Sequence, residues 1–129
     1  MRQGLWPNPD LQAQLADMDA WLSAPDTVVL VVPRIESGLA GFAELGTRSV
    51  AESCESSPVA FLEGWYVDPD VRRQGVGTAL IRAAEVWARE MGFMELASDT
   101  QLANLESQLA HAALGFVEVE RLVAYRKVL

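Results

Sequence analysis

Cysteine and histidine are almost missing from this chain. Its 129 residues include one cysteine, Cys54, and one histidine, His111. A lone cysteine excludes an intrachain disulfide, and the two residues together cannot supply the ligands of a structural zinc site. We therefore expect a fold held together by its apolar core, without a metal ion, in the reducing environment of the cytoplasm.

Long apolar runs and an excess of positive charge are missing as well. The apolar run from Thr27 to Pro33 is far too short to cross a bilayer, and no leader pattern opens the chain. Eighteen acidic residues against ten basic ones give a formal net charge of −8. This balance disfavours nucleic acid and favours a cationic ligand, although solubility alone also accounts for it. We expect a soluble protein that binds neither membranes nor nucleic acids.

Hydrophobic spacing predicts a single domain, residues 1–129, in which helices and strands alternate. Asp10 is a candidate N-cap for a first helix that ends before Pro25. The apolar residues of that helix lie at helical spacing: Leu11, Leu15, Met18 and Leu22. The expected strands are Thr27–Val32, Leu39–Leu45, Pro58–Val67, Glu95–Ser98, Phe116–Glu120 and Leu122–Val128, and the later helices are 76–91 and Asn104–Leu114. Since the first strand is apolar throughout, we expect it to be covered on both faces.

Two further features refine this pattern. The helix after residue 75 should turn one apolar face to the core, formed by Val76, Ala79, Leu80, Ala83, Ala84, Trp87 and Met91, and Gly92 should end it. Elements that alternate in the middle of the chain and pair at its end predict an α/β (α+β) fold, with a mixed sheet and helices on both faces.

The most informative segment is the turn between the strand that ends at Val67 and the helix that begins at Val76. Such a turn presents backbone N–H groups at a positive helix terminus, and its glycines let a phosphate approach closely. Its spacing fits neither the Rossmann nor the Walker pattern, and no lysine is present to reach a terminal phosphate. The residues expected at this anion site are Val67, Arg72, Arg73, Gln74, Gly75, Val76, Gly77 and Thr78. An ordinary glycine-rich turn remains the alternative.

Within this turn, Arg72-x-x-Gly75-x-Gly77 resembles the acetyl-CoA signature of the GCN5-related N-acetyltransferases. Downstream, Asn104-x-x-Ser107-x-x-x-His111-x-x-x-Gly115-Phe116 resembles the second half of the same family pattern. The resemblance implies a GNAT-type fold, with a twisted and mostly antiparallel sheet, and acetyl-CoA as co-substrate. It also places Asn104 and His111 at the cofactor site.

Two segments narrow the resemblance to the aminoglycoside 6′-N-acetyltransferases, which confer antibiotic resistance. They are residues 57–67, Ser-Pro-Val-Ala-Phe-Leu-Glu-Gly-Trp-Tyr-Val, and residues 95–100, Glu-Leu-Ala-Ser-Asp-Thr; Leu5-Trp6-Pro7 and Tyr125-Arg126-Lys127 agree with them. The expected acceptor is therefore a cationic aminoglycoside, and the expected assembly is a homodimer. Relatives of this kind begin with a further strand ahead of Leu-Trp-Pro, so we expect the first strand of the family fold to be missing here.

Two carboxylates match the substrate-site positions of this subgroup, Glu63 and Asp99. An acceptor ammonium must lose a proton before it can attack a thioester, so one acid is expected to handle that proton while the other binds the sugar. Glu63 is unusual because it stands in an apolar strand, where a carboxylate is costly unless it faces a cavity or a partner. Asp99 has a structural alternative as the cap of a turn or helix. The sequence leaves open which of the two is the base.

Histidine and aromatic residues complete the candidate site. His111 stands where many acetyltransferases have a tyrosine that protonates the leaving thiolate, although it has an equally good structural role as a packing residue. Tyr125 is a weaker candidate for that acid. The candidates for binding sugar are Trp6, Trp65 and Tyr66, since flat rings pack on apolar sugar faces, although Trp65 fits a place in the core nearly as well. Trp21 and Trp87 are expected in the core.

Two other functions compete with this hypothesis. The first is acetylation of another small amine or a peptide, since fold does not fix substrate. The second is a non-catalytic module that binds acyl-CoA. Binding of the cofactor without amine-dependent release of free thiol would indicate the second.

Overall fold

The computed structural model describes residues 1–129 and divides into two compact units, Met1–Asp99 and Thr100–Leu129. The first unit contains helices α1 (Arg2–Leu5), α2 (Leu11–Ser23) and α3 (Val76–Glu90), strands β1 (Val28–Pro33), β2 (Leu39–Arg48), β3 (Val59–Val67) and β4 (Leu96–Ser98), and a 3-10 turn, Pro69–Val71. The second unit contains helix α4 (Leu105–Ala113). None of these helices has the length and apolar character needed to span a membrane.

The sheet has four strands in the order β1-β2-β3-β4. The pairs β1/β2 and β2/β3 are antiparallel, and β3/β4 is parallel. Strands β3 and β4 can lie parallel because α3 forms the long connection between them, which parallel neighbouring strands require. The predicted mixed and mostly antiparallel sheet is confirmed.

Helix α2 begins and ends where the sequence predicts. The Asp10 carboxylate accepts a hydrogen bond from the Ala13 backbone N–H at 3.0 Å, and the helix stops at Ala24, ahead of Pro25. Its apolar residues are not core residues, since Leu22 is 63% exposed, and the buried residue of this helix is Gln14. The Gln14 amide donates to the Trp6 carbonyl at 3.0 Å, which satisfies a polar group that burial would otherwise penalise.

Strand β1 is an edge strand, and the expectation that it is covered on both faces is wrong. None of its residues is fully buried, and Val31 is exposed. An apolar, β-branched sequence indicates that a strand will form, but whether both faces of that strand are buried depends on which elements pack against them.

The core lies where α3 packs against the sheet. The buried residues of α3 are Leu80, Ile81, Ala84 and Ala88, whereas Ala79 and Ala83, expected on the buried face, are exposed. The buried stripe is thus rotated from the one predicted, because apolar residues occupy more than one side of this helix. Gly92, with φ of +86°, ends α3 as predicted.

The second unit confirms the predicted helix but not the predicted strands. Asn104 caps α4, its side-chain oxygen accepting from the Ser107 N–H at 3.1 Å. Residues 116–129 form neither of the two expected strands, and Tyr125 is 92% exposed. A strand needs a neighbour to satisfy its backbone groups, and this segment has none within the chain, whatever its sequence pattern.

Candidate cofactor and acceptor site

The turn after β3 has the backbone that an anion site requires. Gly75 precedes α3 with φ of +87°, and the preceding Arg73 also has a positive φ, of +60°. No side chain caps this helix, so its first N–H groups remain available at the positive end of the dipole. A Cβ at Gly75 would have no neighbour within 4 Å. The space in front of the turn is therefore open to a phosphate.

Gly77, the second glycine of the turn, makes room for a different contact. A Cβ at Gly77 would lie 2.9 Å from the Trp65 indole. From the sequence, Gly75 and Gly77 are both expected to let a phosphate approach the backbone. In the structure, packing of the Trp65 ring against the first turn of α3 accounts for Gly77.

The remaining residues of the predicted anion site surround the same turn. The Arg72 Nε donates to the Val67 carbonyl at 2.9 Å, which ties the turn to the end of β3. The Gln74 amide donates to the Asp70 carbonyl at 3.3 Å. Arg72 and Arg73 are both exposed, so their charges lie at the surface beside the helix terminus.

One residue that sequence reasoning missed fixes the start of this turn. Arg34 donates to both Asp70 oxygens, at 2.7 and 3.0 Å, and to Asp68 at 2.8 Å. The hydrogen bonds from Arg34 lower the pKa of Asp70, and the same carboxylates raise the pKa of Arg34. No local pattern signals this pairing, because 36 positions separate Arg34 from Asp70.

Glu63 occupies an irregularity in the sheet. On β2, Glu44 pairs with Gly64 and the next residue, Leu45, pairs with Leu62, so Glu63 has no partner opposite it. This arrangement is a β-bulge, which redirects a side chain and is common beside active sites. The bulge gives a structural reason for a carboxylate in an apolar strand.

Asp99 follows β4, which is parallel to β3. The last paired residues are Leu62 and Ser98, so continuing the register by one residue aligns Asp99 with Glu63. Asp99 is exposed, and the half-buried Glu63 carboxylate is bonded by Arg48. Glu63, in β3, and Asp99, one residue beyond β4, thus each follow the last residue pair of this parallel ladder.

Glu63 also lines an open cavity of about 520 Å³ in the first unit. The other lining residues are Arg2, Asp17, Ala20, Trp21, Ala24, Asp26, Thr27, Gly46 and Thr47. Three acidic residues and a tryptophan thus line a space large enough for a small molecule. Since Trp21 borders this cavity, its expected place in the core is wrong. Its buried Nε1 has no hydrogen-bond partner.

None of the three predicted sugar-binding aromatics lines this cavity. Trp6 packs over Gly64, where no larger residue would fit, and meets Phe42 edge to face at 6.5 Å between ring centroids. Trp65 packs against α3, and Tyr66 lies against Phe42 at 6.1 Å. All three are half-buried, which leaves part of each ring accessible.

Two predicted cofactor residues lie in the second unit. Asn104 uses its side chain as the cap of α4. His111 is in the last turn of that helix, with Nδ1 2.7 Å from the Ser107 carbonyl and the ring 5.1 Å from that of Phe116. Because a carbonyl only accepts, Nδ1 carries a proton, and the ring is a proton donor at Nε2 only as the imidazolium. The arrangement provides both a packing contact and an ionisable nitrogen.

Comparison with known proteins identifies the class that this fold and turn define. The family model of the acetyltransferase (GNAT) family matches residues 1–116. The chain belongs to this family.

Closer relatives carry a more specific name. The aminoglycoside N(6′)-acetyltransferase type 1 of Klebsiella aerogenes is 49% identical over 132 aligned residues, which cover 100% of this chain and 87% of that protein. The enzyme of the same name from Serratia marcescens is 45% identical, with 100% and 89% covered. Among solved structures, AAC(6′)-Iy in complex with the bisubstrate analogue CoA-S-monomethyl-acetylneamine matches with a TM-score of 0.93 and 40% identity, covering 100% of this chain and 88% of that one.

Proposed function

We propose that this protein is an aminoglycoside 6′-N-acetyltransferase, which transfers the acetyl group of acetyl-CoA to the 6′-amine of an aminoglycoside antibiotic. One observation carries the proposal: a single strand, β3, bears a bulged carboxylate at an acidic cavity and then leads into a turn built for an anion. The similarity to aminoglycoside N(6′)-acetyltransferases over the whole chain supports the same acceptor.

The turn before α3 fits the pyrophosphate of acetyl-CoA. The uncapped N–H groups at the start of the helix are donors for phosphate oxygens, and the open space at Gly75 admits the phosphate. We assign the whole predicted set to this role, from Val67 and Arg72 through Thr78, with Gly77 contributing its backbone N–H in the first turn of α3. The adjacent guanidinium groups of Arg72 and Arg73 add positive charge.

The cavity fits a polycationic sugar. Its carboxylates, from Asp17, Asp26 and Glu63, attract ammonium groups, and indole faces pack on the apolar faces of sugar rings. Trp6, Trp65 and Tyr66 are the aromatic residues that we assign to the acceptor, and Trp21 joins them because it lines the cavity.

The chemistry requires a neutral amine. Glu63 and Asp99 share two tasks: one removes the ammonium proton, directly or through water, and the other holds the acceptor. The nitrogen lone pair then attacks the thioester carbonyl carbon, so that the carbon–nitrogen bond forms as the carbon–sulfur bond breaks and the sulfur leaves as a thiolate. The new amide nitrogen loses its second proton to water. We assign His111, as the imidazolium, to the return of a proton to that sulfur, and Asn104 to the cofactor.

We further propose that residues 1–129 act as one acetyltransferase domain, in the cytoplasm and as a homodimer. The family match over residues 1–116 supports the single domain, and the single cysteine fits a reducing compartment. The exposed apolar residues of the C-terminal segment, among them Val117, Val123 and Val128, favour association with a second copy.

The test is transfer to a defined amine. The purified chain is incubated with acetyl-CoA and kanamycin, free thiol is measured with time, and the product is mapped by NMR. We expect one acetyl group at the 6′-amine, and no reaction with a matched sugar that carries a 6′-hydroxyl. Modification of another ring, or of peptides and polyamines alone, would indicate a different acceptor. Cofactor binding without any thiol release would indicate a non-catalytic module.

A further inference from the structure

Arg48 makes two contacts that together restrain one carboxylate. Its Nε donates to Glu63 Oε1 at 2.9 Å, and Nη2 donates to Oε2 at 2.7 Å. The guanidinium carbon lies 3.3 Å from the centroid of the Phe61 ring. Phe61 is 1% exposed, so the guanidinium rests on a buried, close-packed residue of the core.

These contacts matter because of where Glu63 stands. At the bulge it has no paired residue opposite it on β2, and the hydrogen bonds from Arg48, at the end of β2, restrain its side chain. A planar guanidinium fork fixes both carboxylate oxygens at once, and stacking on a ring fixes the plane of the fork. The orientation of the Glu63 carboxylate at the cavity is thus set by Phe61, through Arg48.

We propose that Arg48 is a positioning residue for the acceptor, which holds the Glu63 carboxylate in the orientation that receives the acceptor's ammonium group. This inference rests on the proposed function, since Glu63 is there the acid that meets the aminoglycoside. Both side chains remain partly exposed, Arg48 at 39% and Glu63 at 25%, so the pair is accessible to an acceptor in the cavity.

The charge and the hydrogen-bonding geometry of Arg48 have opposite effects on the affinity for the acceptor. A guanidinium beside the cavity repels a polycation and neutralises Glu63, so removal of the charge alone would favour the acceptor. The acidic groups that face Arg48, namely Glu63, Asp99 and Glu52, raise its pKa and keep it charged. The decisive variant therefore keeps the positive charge but removes the pair of parallel hydrogen bonds to Glu63, and Arg48→Lys does this.

The experiment measures the dissociation constant of kanamycin by calorimetry in the full chain. We expect Arg48→Lys to weaken kanamycin binding by about 3- to 10-fold, because a lysine point charge cannot hold both oxygens, and to leave acetyl-CoA binding unchanged. In the Glu63→Gln background, Arg48→Lys should change kanamycin binding by less than about 2-fold, because Arg48 acts through Glu63. The matched control is Arg89→Lys, at an exposed ion pair with Glu85, where no change is expected.

Each other outcome decides against the proposal. Wild-type affinity in Arg48→Lys would mean that charge alone matters, and an equal loss in the Glu63→Gln background would mean that Arg48 acts independently of Glu63. A comparable loss of acetyl-CoA affinity would indicate a general structural role. If Arg48→Lys fails to fold, Arg48→Gln is the second variant: because loss of the charge alone favours a polycation, weaker kanamycin binding in Arg48→Gln would support the positioning role, and equal or tighter binding would refute it. Wild-type chain that binds kanamycin but releases no thiol refutes the proposed reaction alone, whereas the absence of kanamycin binding refutes both.

Discussion

Gly75 and Gly92 allow the anion site to be tested against a matched control on the same helix. Both glycines have nearly the same left-handed backbone, with φ of +87° and +86°, and a Cβ added at either one would have no neighbour within 4 Å. They stand at opposite ends of α3, Gly75 at the proposed pyrophosphate site and Gly92 after the last turn. Replacement of each by alanine therefore imposes the same strain but touches only one site.

The strain has a predictable magnitude. A left-handed conformation costs an alanine about 1–2 kcal/mol. For a chain of 129 residues, an unfolding entropy of about 2 cal/mol/K per residue converts this cost into a decrease in Tm of about 4–7 °C. Both variants should show this decrease in thermal unfolding.

Acetyl-CoA binding should separate the two variants. In Gly75→Ala the methyl group lies on the open side of the turn, where it keeps phosphate oxygens from the helix N–H groups. The loss of one such charge-assisted hydrogen bond, about 1.5–3 kcal/mol, raises the Kd of acetyl-CoA by about 10- to 100-fold. Gly92→Ala should keep the wild-type Kd in calorimetry. Equal affinity in the two variants, with equal decreases in Tm, would refute the assignment of the pyrophosphate to this turn.

Two other predictions concern charged groups. Glu63→Gln and Asp99→Asn should leave the affinity for acetyl-CoA unchanged. In steady-state kinetics, the variant that removes the base should lower kcat by about 10²- to 10⁴-fold, and the other variant should mainly raise KM for the aminoglycoside. Wild-type kcat and KM in both variants would mean that other groups transfer the proton. Arg34→Gln should destabilise the fold at neutral pH but not in acid: because Arg34 lowers the pKa of Asp70 below 3.8, its contribution is present above that pH and is lost as the pH falls through the folded pKa. The difference in unfolding free energy between Arg34→Gln and wild type should therefore begin to shrink below about pH 4 and continue to shrink as the pH falls through the folded pKa of Asp70, whereas a constant difference would show that the Asp70 charge is not involved.

Residue types at the ends of the helices were enough to predict where those helices begin and end, because caps depend on neighbours in sequence. Asp10 caps α2, Asn104 caps α4, and Gly92 ends α3, each as its residue type predicts. The turn before α3 was predicted on the same basis, because glycine at position 75 and the following apolar helix are neighbours in sequence.

Features that depend on distant partners were not predictable. The bulge at Glu63 arises from the register of β2 against β3, and the fork from Arg48 joins residues 15 positions apart. Trp21 has the spacing of a core residue, but the packing of α2 places it at the cavity. Residues 116–129 have a strand-like pattern without a strand to pair with in the chain.

Strand β3 links the two halves of the proposed reaction. Glu63, at the cavity, and Val67, at the start of the cofactor turn, are four residues apart, which corresponds to about 13 Å along a strand. Because the residues before Glu63 are buried in the core, this spacing is set by the sheet and not by a flexible loop. Between these two positions, the Trp65 indole packs on Gly77 and joins the strand to the first turn of α3. Acetyl transfer requires the amine and the thioester to meet within a fraction of an ångström of the productive geometry. We therefore propose that Gly77 helps to fix the distance between the acceptor and cofactor sites, because its lack of a side chain lets the Trp65 ring pack against α3.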